Sequence, residues 1–452
     1  MNLKDTIGSL PEIEGNMSDT LAEPTEETAF LDLYKKFVEE TKPNSVLRTI
    51  QEAALSRFEI LGFPHSKHEM YTFVNTKNLA TTQFKTSNHS TEFAEDNIAN
   101  HIFPGCENSC LVFVNGVFNS SLSELQAIKD SVKISSLLEK IDTDYVLGIL
   151  KNENDVFACL ANVFCKDITV VEISDKKQVP VPVQALFISS GDTSAPIICS
   201  PKLIWKIGKL AEIKVIEKSV GARSGYFLNM TQDWKISEGA GVVLTQVQAD
   251  PFDAWNFIKT RVHLKRDARL HSANASTGSV LVRQHFEGRL EEEGAELILN
   301  GVSVLGGKEQ VHNFVRIHHE APQCVSHQHF KNVVNDEGRS SFDGTVVVNQ
   351  GAQLTNSNQL INNLMLSNNC HADNKPNLMI FADDVKCTHG ATIGQIDDDQ
   401  LFYLQTRGLS EKIAKELLTR GFAESIIQTI QFPEVVAELS RTLLKKLEAD
   451  NV

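Results

Sequence analysis

The chain lacks an excess of positive charge. Its 452 residues include 43 Lys and Arg against 58 Asp and Glu, which gives a formal net charge of −15. Proteins that bind nucleic acid without sequence preference concentrate positive charge against the phosphates. The two most basic stretches, residues 261–269 and 441–446, are short and interrupted by apolar residues. The composition therefore argues against a general nucleic-acid-binding protein.

The sequence also lacks long apolar runs. No stretch approaches the roughly 20 apolar residues that cross a bilayer. The first thirty residues are acidic and do not have the basic-then-apolar pattern of a signal peptide. The eight cysteines are irregularly spaced, and Cys106 and Cys110 are followed by no second pair. We therefore expect a soluble cytoplasmic protein with free thiols and no contact with a membrane.

Motifs for nucleotide chemistry are missing as well. Gly306-Gly307-Lys308 lacks the first glycine and the hydroxyl residue of a phosphate-binding loop. No Gly-x-Ser-x-Gly nucleophile elbow occurs. The sequence thus predicts that this chain does not hydrolyse a nucleotide itself.

What is present is a long strand-rich region between helical ends. Apolar residues at spacings of three and four predict helices over residues 28–40, 45–61, 121–139 and 155–164. From residue 167 to 396, short strand-like runs alternate with turns that repeat every 26 to 31 residues, marked by Ala240, Ala268, Ala295, Ala321 and Ala352. This period favours the stacked coils of a right-handed parallel β-helix. A β-sandwich or jelly roll is the alternative.

Helical patterns return after residue 396. Three aspartates from Asp397 start a first helix, which Gly408 ends, and Ser410 caps a second over residues 411–420, which Gly421 ends. Pro433 opens a last helix that runs to about residue 449. We therefore divide the chain into a leader and helical region (1–110), a mixed α/β connection (111–166), the β-helix core (167–396) and a C-terminal helical domain (397–452).

The densest group of reactive side chains lies in the segment Asp383-Asp384-Val385-Lys386-Cys387-Thr388-His389-Gly390. On a strand, Cys387 and His389 share one face about 6.6 Å apart along the chain. A histidinium there lowers the pKa of the thiol, and the two side chains are ligands for zinc or an iron–sulfur cluster. Two ligands do not complete such a site, so other residues of this chain or a second protein must supply the rest. The alternative is a buried thiol beside a hydrogen-bonded imidazole.

Two further hypotheses concern other residues. His327 and His329 share a strand face and could hold a divalent metal, although no third ligand lies at a fixed offset. The adjacent Asp383 and Asp384, in a β-helix, raise the possibility of a polysaccharide-cleaving enzyme, which uses paired carboxylates. On a regular strand, however, these two carboxylates point to opposite faces. A purely architectural repeat protein is a third interpretation.

A longer set of residues around Cys387 and His389 carries a resemblance. It runs from Ala382 to Thr392 and continues with Gly394, Ile396, Asp397, Leu401, Phe402, Tyr403, Leu404, Arg407 and Gly408; matches also occur upstream at Arg57, Phe58, Gly62, Pro64, His312, His319, Ser326, Phe330, Gly344, Gln353 and Pro376. These residues resemble the SufB/SufD family of iron–sulfur cluster assembly scaffolds. The His-Gly-Ala-Thr sequence from His389 is similar to the SufD branch, whereas Met70 stands where the family usually has Trp.

The resemblance implies a scaffold without enzymatic activity, built as a β-helix with helical regions at both ends. It implies pairing with SufB through the two β-helices, with a transient iron–sulfur cluster or iron held at the interface by His389 and by ligands from SufB, and with Cys387 as the neighbouring thiol. It also implies that the C-terminal helices dock the ATPase SufC, so that nucleotide binds SufC and not this chain. The docking residues are expected to be Leu401, Phe402, Tyr403, Leu404 and Arg407. A homodimer of the isolated chain stays open.

Overall fold

The computed structural model describes residues 28–65, 68–86, 98–136, 143–189, 195–221, 225–251 and 253–449. The acidic leader lies outside these ranges. Ahead of the strand-rich core lie the α-helices α1 (Thr28–Thr41), α2 (Ser45–Leu61), α3 (Lys77–Thr81), α4 (Thr143–Lys151) and α5 (Val156–Val163). Asn44 caps α2 by accepting a hydrogen bond from Leu47 N at 2.9 Å, and Gly62 ends it at a positive φ of 66°. The predicted helices over residues 28–40, 45–61 and 155–164 are confirmed.

The predicted helix over residues 121–139 is wrong. The chain there forms turns and then the strand β4 (Val132–Ser136), while residues 137–139 lie outside the described ranges. Just before it, β2 (Cys110–Val114) and β3 (Val117–Phe118) form a hairpin whose turn, Asn115-Gly116, has positive φ at both residues. β4 pairs antiparallel with β5 (Ile168–Ile173), so pairing with a distant strand overrides the local helical spacing.

The core is a parallel β-solenoid made of two sheets. After β1 (Lys85–Thr86), its strands are β6 (Val183–Ser189), β7 (Ile197–Cys199), β8 (Lys202–Ile207), β9 (Glu212–Gly221), β10 (Tyr226–Ile236), β11 (Gly241–Ala249), β12 (Trp255–Leu264), β13 (Arg269–Ser276), β14 (Leu281–Leu290), β15 (Glu296–Leu305), β16 (Gln310–His319), β17 (Val325–Val334), β18 (Arg339–Val348), β19 (Asn356–Met365), β20 (His371–Ile380) and β21 (Lys386–Gly394).

From β8 onward, each coil contributes one strand to each sheet. The first sheet has the order β20-β18-β16-β14-β12-β10-β8-β5-β4, and the second has the order β21-β19-β17-β15-β13-β11-β9-β6-β2-β3. All neighbours among the coil strands are parallel and in register. The apolar side chains between the sheets form the main core, where the rings of Trp205 and Trp234 stack 4.5 Å apart. The predicted parallel β-helix with helical flanks is confirmed.

The repeating turn that the alanines predicted precedes each strand of the second sheet. Ala240, Ala268 and Ala295 are fully buried there, and each carbonyl accepts a hydrogen bond from the backbone of the next coil. In the following coil Cys324 takes this position, whereas Ala321 lies three residues earlier and is half-buried. The repeat therefore reflects a narrow corner of the coil that admits only small side chains.

Helices cover the outer faces of both sheets. The N-terminal helices pack on the first sheet through an aromatic-rich cluster that includes Phe157, Phe227 and Phe257. The last three helices are α6 (Asp398–Thr406), α7 (Glu411–Ile427) and α8 (Pro433–Ala449), and apolar residues of α7 and α8 pack on the second sheet. The predicted break at Gly421 is wrong, because α7 runs through it. Within the described ranges no helix is long and apolar enough to cross a membrane.

Candidate functional site

The last strand of the second sheet carries the predicted thiol and imidazole. β21 pairs with β19 so that Cys387 lies opposite Ser357 and His389 lies opposite Gln359. Ser357 and Gln359 are buried and face the interior, so the pleat turns Cys387 and His389 toward the same side. The residues between them face outward, where the Thr388 hydroxyl accepts a hydrogen bond from Asn358 Nδ2 at 2.7 Å. The structure thus brings the predicted pair onto one face of a strand.

Cys387 and His389 lie in the last coil of the solenoid, at its open end. β20 and β21 are the outermost strands of their sheets, and within the described residues no strand pairs with their free edges. His389 is therefore exposed and Cys387 is half-buried. Four apolar side chains of the last coil are also exposed: Met379, Ile380, Phe381 and Ile393. We define these two strands and these four side chains as the open end.

Sequence reasoning did not find the apolar members of the open end. They look like ordinary core residues of short strands, and only the stacking order reveals that no coil covers them. The signal available in the sequence was the position of these strands, which are the last before the helical pattern returns.

The thiol of Cys387 differs from the expectation. Burial raises its pKa, and the backbone N–H of Ser357 opposes that rise; His389 does not lower it. The other seven cysteines are buried, and all eight lie within the described ranges as free thiols. Burial raises the pKa of Cys106 and Cys110 to about 12. Cys387 is consequently the single thiol that a reagent or an ion can reach.

The remaining predicted candidates are dispersed. Asp383 and Asp384 lie in the turn before β21 and are exposed, not on a strand as assumed. His329 Nε2 contacts Asn362 Oδ1 at 3.0 Å, on the outward face of the second sheet. In the described residues, no three His, Cys, Asp or Glu side chains come close enough to hold a metal ion. On β21 the potential ligands are therefore two, the imidazole nitrogen of His389 and the thiol sulfur of Cys387.

The predicted docking helix, α6, stands away from the core. Asp397 caps it by accepting a hydrogen bond from Gln400 N at 2.9 Å, and acidic residues in its first turn suit the positive end of the helix dipole. No residue of α6 is buried, and Phe402 and Tyr403 are 67% and 55% exposed. Arg407 lies over the Tyr403 ring, 5.1 Å from its centre.

A cleft separates α6 from α7 and the end of the solenoid. Its volume is about 470 Å³, and half-buried Leu401 of α6 lines it together with Ile396 and Lys415. Leu404 is also half-buried. The helix thus presents its two aromatic side chains to solvent while its leucines lie partly covered.

Two family models match most of this chain. A family model described as the SufBD core domain of the SUF system for FeS cluster assembly matches residues 188–422, more than half of the chain. A model of the SufBD N-terminal region matches residues 24–185. The chain belongs to the SufBD family. It is therefore a protein of iron–sulfur cluster assembly.

Individual relatives match over most of their length. An iron–sulfur cluster assembly SufBD family protein of Synechocystis is 28% identical over 414 residues, which cover 88% of this chain and 90% of the relative. The iron–sulfur cluster assembly protein SufD of Escherichia coli is 25% identical over 380 residues, 82% of this chain and 86% of the relative. The chloroplastic protein ABCI7 of Arabidopsis thaliana is 26% identical over 86% of this chain and 83% of the relative.

Proposed function

We propose that this chain is a SufD-type scaffold subunit that acts in the cytoplasm and is not an enzyme by itself. It pairs with a SufB-type protein through the open end, and a nascent iron–sulfur cluster forms between the two chains. The observation that carries the proposal is the position of His389 on the edge strand β21, which no further strand of the described residues covers, in a last coil with four exposed apolar side chains. Such edges are completed by strands of another chain.

The ligand chemistry supports a shared site. Iron–sulfur clusters are held by several thiolate or imidazole ligands, and β21 offers only His389 and Cys387 as ligands of these kinds. We assign His389 as the ligand to iron and Cys387 as the thiol beside it. The partner supplies the remaining ligands, and the cluster is cargo that leaves the complex.

The exposed side chains of α6 support a contact with a second partner protein. We propose that Phe402 and Tyr403, with Leu401, Leu404 and Arg407, dock a SufC-type ATPase. Two exposed aromatic rings on a helix without a buried residue are typical of a surface that a partner covers. Nucleotide then binds the ATPase, and its cycle moves the scaffold pair.

Copurification tests the proposal. The tagged chain is coexpressed with SufB and SufC and compared with His389→Ala and with His371→Ala, a control that removes an exposed histidine from the neighbouring edge strand. We expect all three to form the complex and only His389→Ala to fail in anaerobic cluster reconstitution, followed by absorption spectroscopy. The chain alone should bind cluster poorly and show no ATPase activity.

The outcomes separate the parts of the proposal. If His389→Ala complexes matured clusters at the wild-type rate, the site assignment would be wrong. If the wild-type chain recovered neither partner, the scaffold assignment would be wrong. Light scattering on the chain alone decides whether a second copy covers the open end when SufB is absent.

A further inference from the structure

Two columns of interior side chains rise through the second sheet and end at the candidate pair. In register from β15 to β21, the first column is Leu297, Ser326, Ser357 and Cys387, and the second is Leu299, Gln328, Gln359 and His389. All members below the pair are buried. The interior thus changes from leucine to polar side chains in the two coils directly beneath Cys387 and His389.

This change carries a cost, because a buried polar group must find a hydrogen-bond partner or lose stability. The serine column meets that requirement. Ser326 Oγ lies 2.9 Å from Ser357 Oγ and 2.8 Å from His319 Nε2. Burial lowers the pKa of His319 to about 4, so its imidazole stays neutral there.

In the second column, the hydrogen bonding of Gln359 is incomplete. Gln359 Nε2 donates to Gln328 Oε1 at 3.3 Å, but Gln359 Oε1 is buried and has no hydrogen-bond partner among the described residues. The place of this side chain is kept clear by Gly344. A Cβ at Gly344 would lie 2.8 Å from Gln359 Nε2 and 2.3 Å from the Phe342 ring. Gly344 therefore leaves room for the Gln359 amide, whose oxygen accepts no hydrogen bond within the described residues.

His389 is the next side chain in the same column and makes no hydrogen bond within the described part of the chain. Adjacent strands are about 4.8 Å apart, a separation at which side chains in register can hydrogen-bond to each other, as Gln359 Nε2 and Gln328 Oε1 do one coil below. Histidines that bind metal almost always donate their second ring N–H to such an acceptor, which fixes the tautomer and the direction of the ligating nitrogen.

We propose that Gln359 is the positioning residue of the cluster site: its amide oxygen accepts one imidazole N–H of His389 and turns the other ring nitrogen toward iron. Gln328 and Gly344 hold Gln359 in place. This inference rests on the proposed role of His389, but the orientation of the ring is a property of the chain alone and can be measured without partners.

The test compares four proteins by NMR of ¹⁵N-histidine-labelled full-length chain, with the His389 signals assigned from their loss in His389→Ala. Gln359→Leu removes the acceptor at similar volume, and Gln359→Glu keeps an oxygen there, which can accept from the unpartnered Nε2 of Gln328. Gln284→Leu is the matched control. It removes another buried amide with an unpartnered Nε2 from the first sheet, in a column that does not lead to His389.

We expect one His389 tautomer in the wild-type chain, Gln359→Glu and Gln284→Leu, and a mixture of both tautomers in Gln359→Leu. In the coexpressed complex, Gln359→Leu should reduce cluster formation about 10- to 100-fold, and Gln359→Glu should restore it. An unchanged tautomer in Gln359→Leu overturns the inference, whatever the cluster yield. A changed tautomer with normal cluster yield supports the orientation of the ring and overturns the role of His389 in the proposed function.

Discussion

Arg283 Nη1 donates a hydrogen bond to Asp155 Oδ2 at 2.8 Å, although the two side chains are only 3% and 1% exposed. Tyr71 donates to the other oxygen of the same carboxylate at 2.6 Å. Burial alone would raise the pKa of Asp155, but Arg283 and His285 outweigh it and hold that pKa well below its usual range. This pair joins the residue that caps α5 to the outer face of the first sheet.

Breaking the pair should destabilise the protein strongly. Arg283→Met leaves the buried Asp155 carboxylate without its guanidinium partner, and we expect the free energy of unfolding in denaturant to fall by about 3–5 kcal/mol. Lys35→Met is the control, because it breaks an exposed pair with Asp32 of similar length, 2.9 Å. Equal effects of the two substitutions would contradict the structural role of the buried pair.

Glu217 should make stability depend on pH. Its Oε2 accepts hydrogen bonds from Gln232 and Gln246 at 2.9 and 2.8 Å, and burial raises its pKa from the usual 4.5 to about 7. The folded chain therefore holds this proton more tightly than the unfolded chain, and stability falls as pH rises through the window from about 4.5 to 7. Glu217→Gln mimics the protonated side chain.

We expect Glu217→Gln to match the wild type near pH 4 and to exceed it at pH 8 by up to about 3 kcal/mol in the free energy of unfolding. Denaturant titrations at both pH values measure this difference. The exposed Glu337→Gln is the control and should leave the pH profile unchanged. Equal pH profiles for Glu217→Gln and the wild type would mean that Glu217 does not titrate in this window.

We expect the affinity for the SufB-type partner to depend on the exposed apolar side chains of the open end. Ile393→Asp places a charge on a side chain that is 53% exposed in the isolated chain and desolvated in the pair. We expect at least about 2 kcal/mol of lost binding, a factor of about 30 in Kd, in a titration against immobilised partner. Ile60→Asp, at an exposed position on α2, should bind as the wild type does. Equal binding by both variants would assign the partner to another surface.

Docking of the ATPase should depend on α6. The double substitution Phe402→Ala and Tyr403→Ala removes exposed rings without touching a buried residue, so we expect a folded chain that loses SufC in a pull-down and keeps SufB. Phe381→Ala removes an exposed ring from the open end and should retain SufC. A chain that ends at Ile396 should behave like the double variant; retention of the ATPase by that shortened chain would rule out this docking site.

Much of the fold follows from local sequence signals. The helix Ser45–Leu61 is predicted to the residue, because its apolar residues follow the helical spacing and Gly62 and Pro64 end it. The coil period is also visible, since the corner before each strand of the second sheet admits only small residues such as Ala240 and Ala268.

Failures arose where distant packing overrides local signals. Gly421 breaks a helical pattern in sequence, but Ala423 and Ile426 pack on the second sheet and carry α7 through it. At the site, the residue types and the spacing of Cys387 and His389 were enough to predict the pair from the sequence. Gln359 was not, because its relation to His389 exists only through a register of thirty residues between β19 and β21.

The two ends of the solenoid differ in a way that limits how many molecules can join. At the far end, the outermost strands are β3 and β4, which are two and five residues long and antiparallel to their neighbours. Short strands of this kind give an incoming chain little to pair with. At the other end, the outermost strands are ten and nine residues long, and no strand among the described residues pairs with their free edges. If pairing takes place through the open end as proposed, we therefore expect strand addition to stop after a single partner and the chain to form no filament.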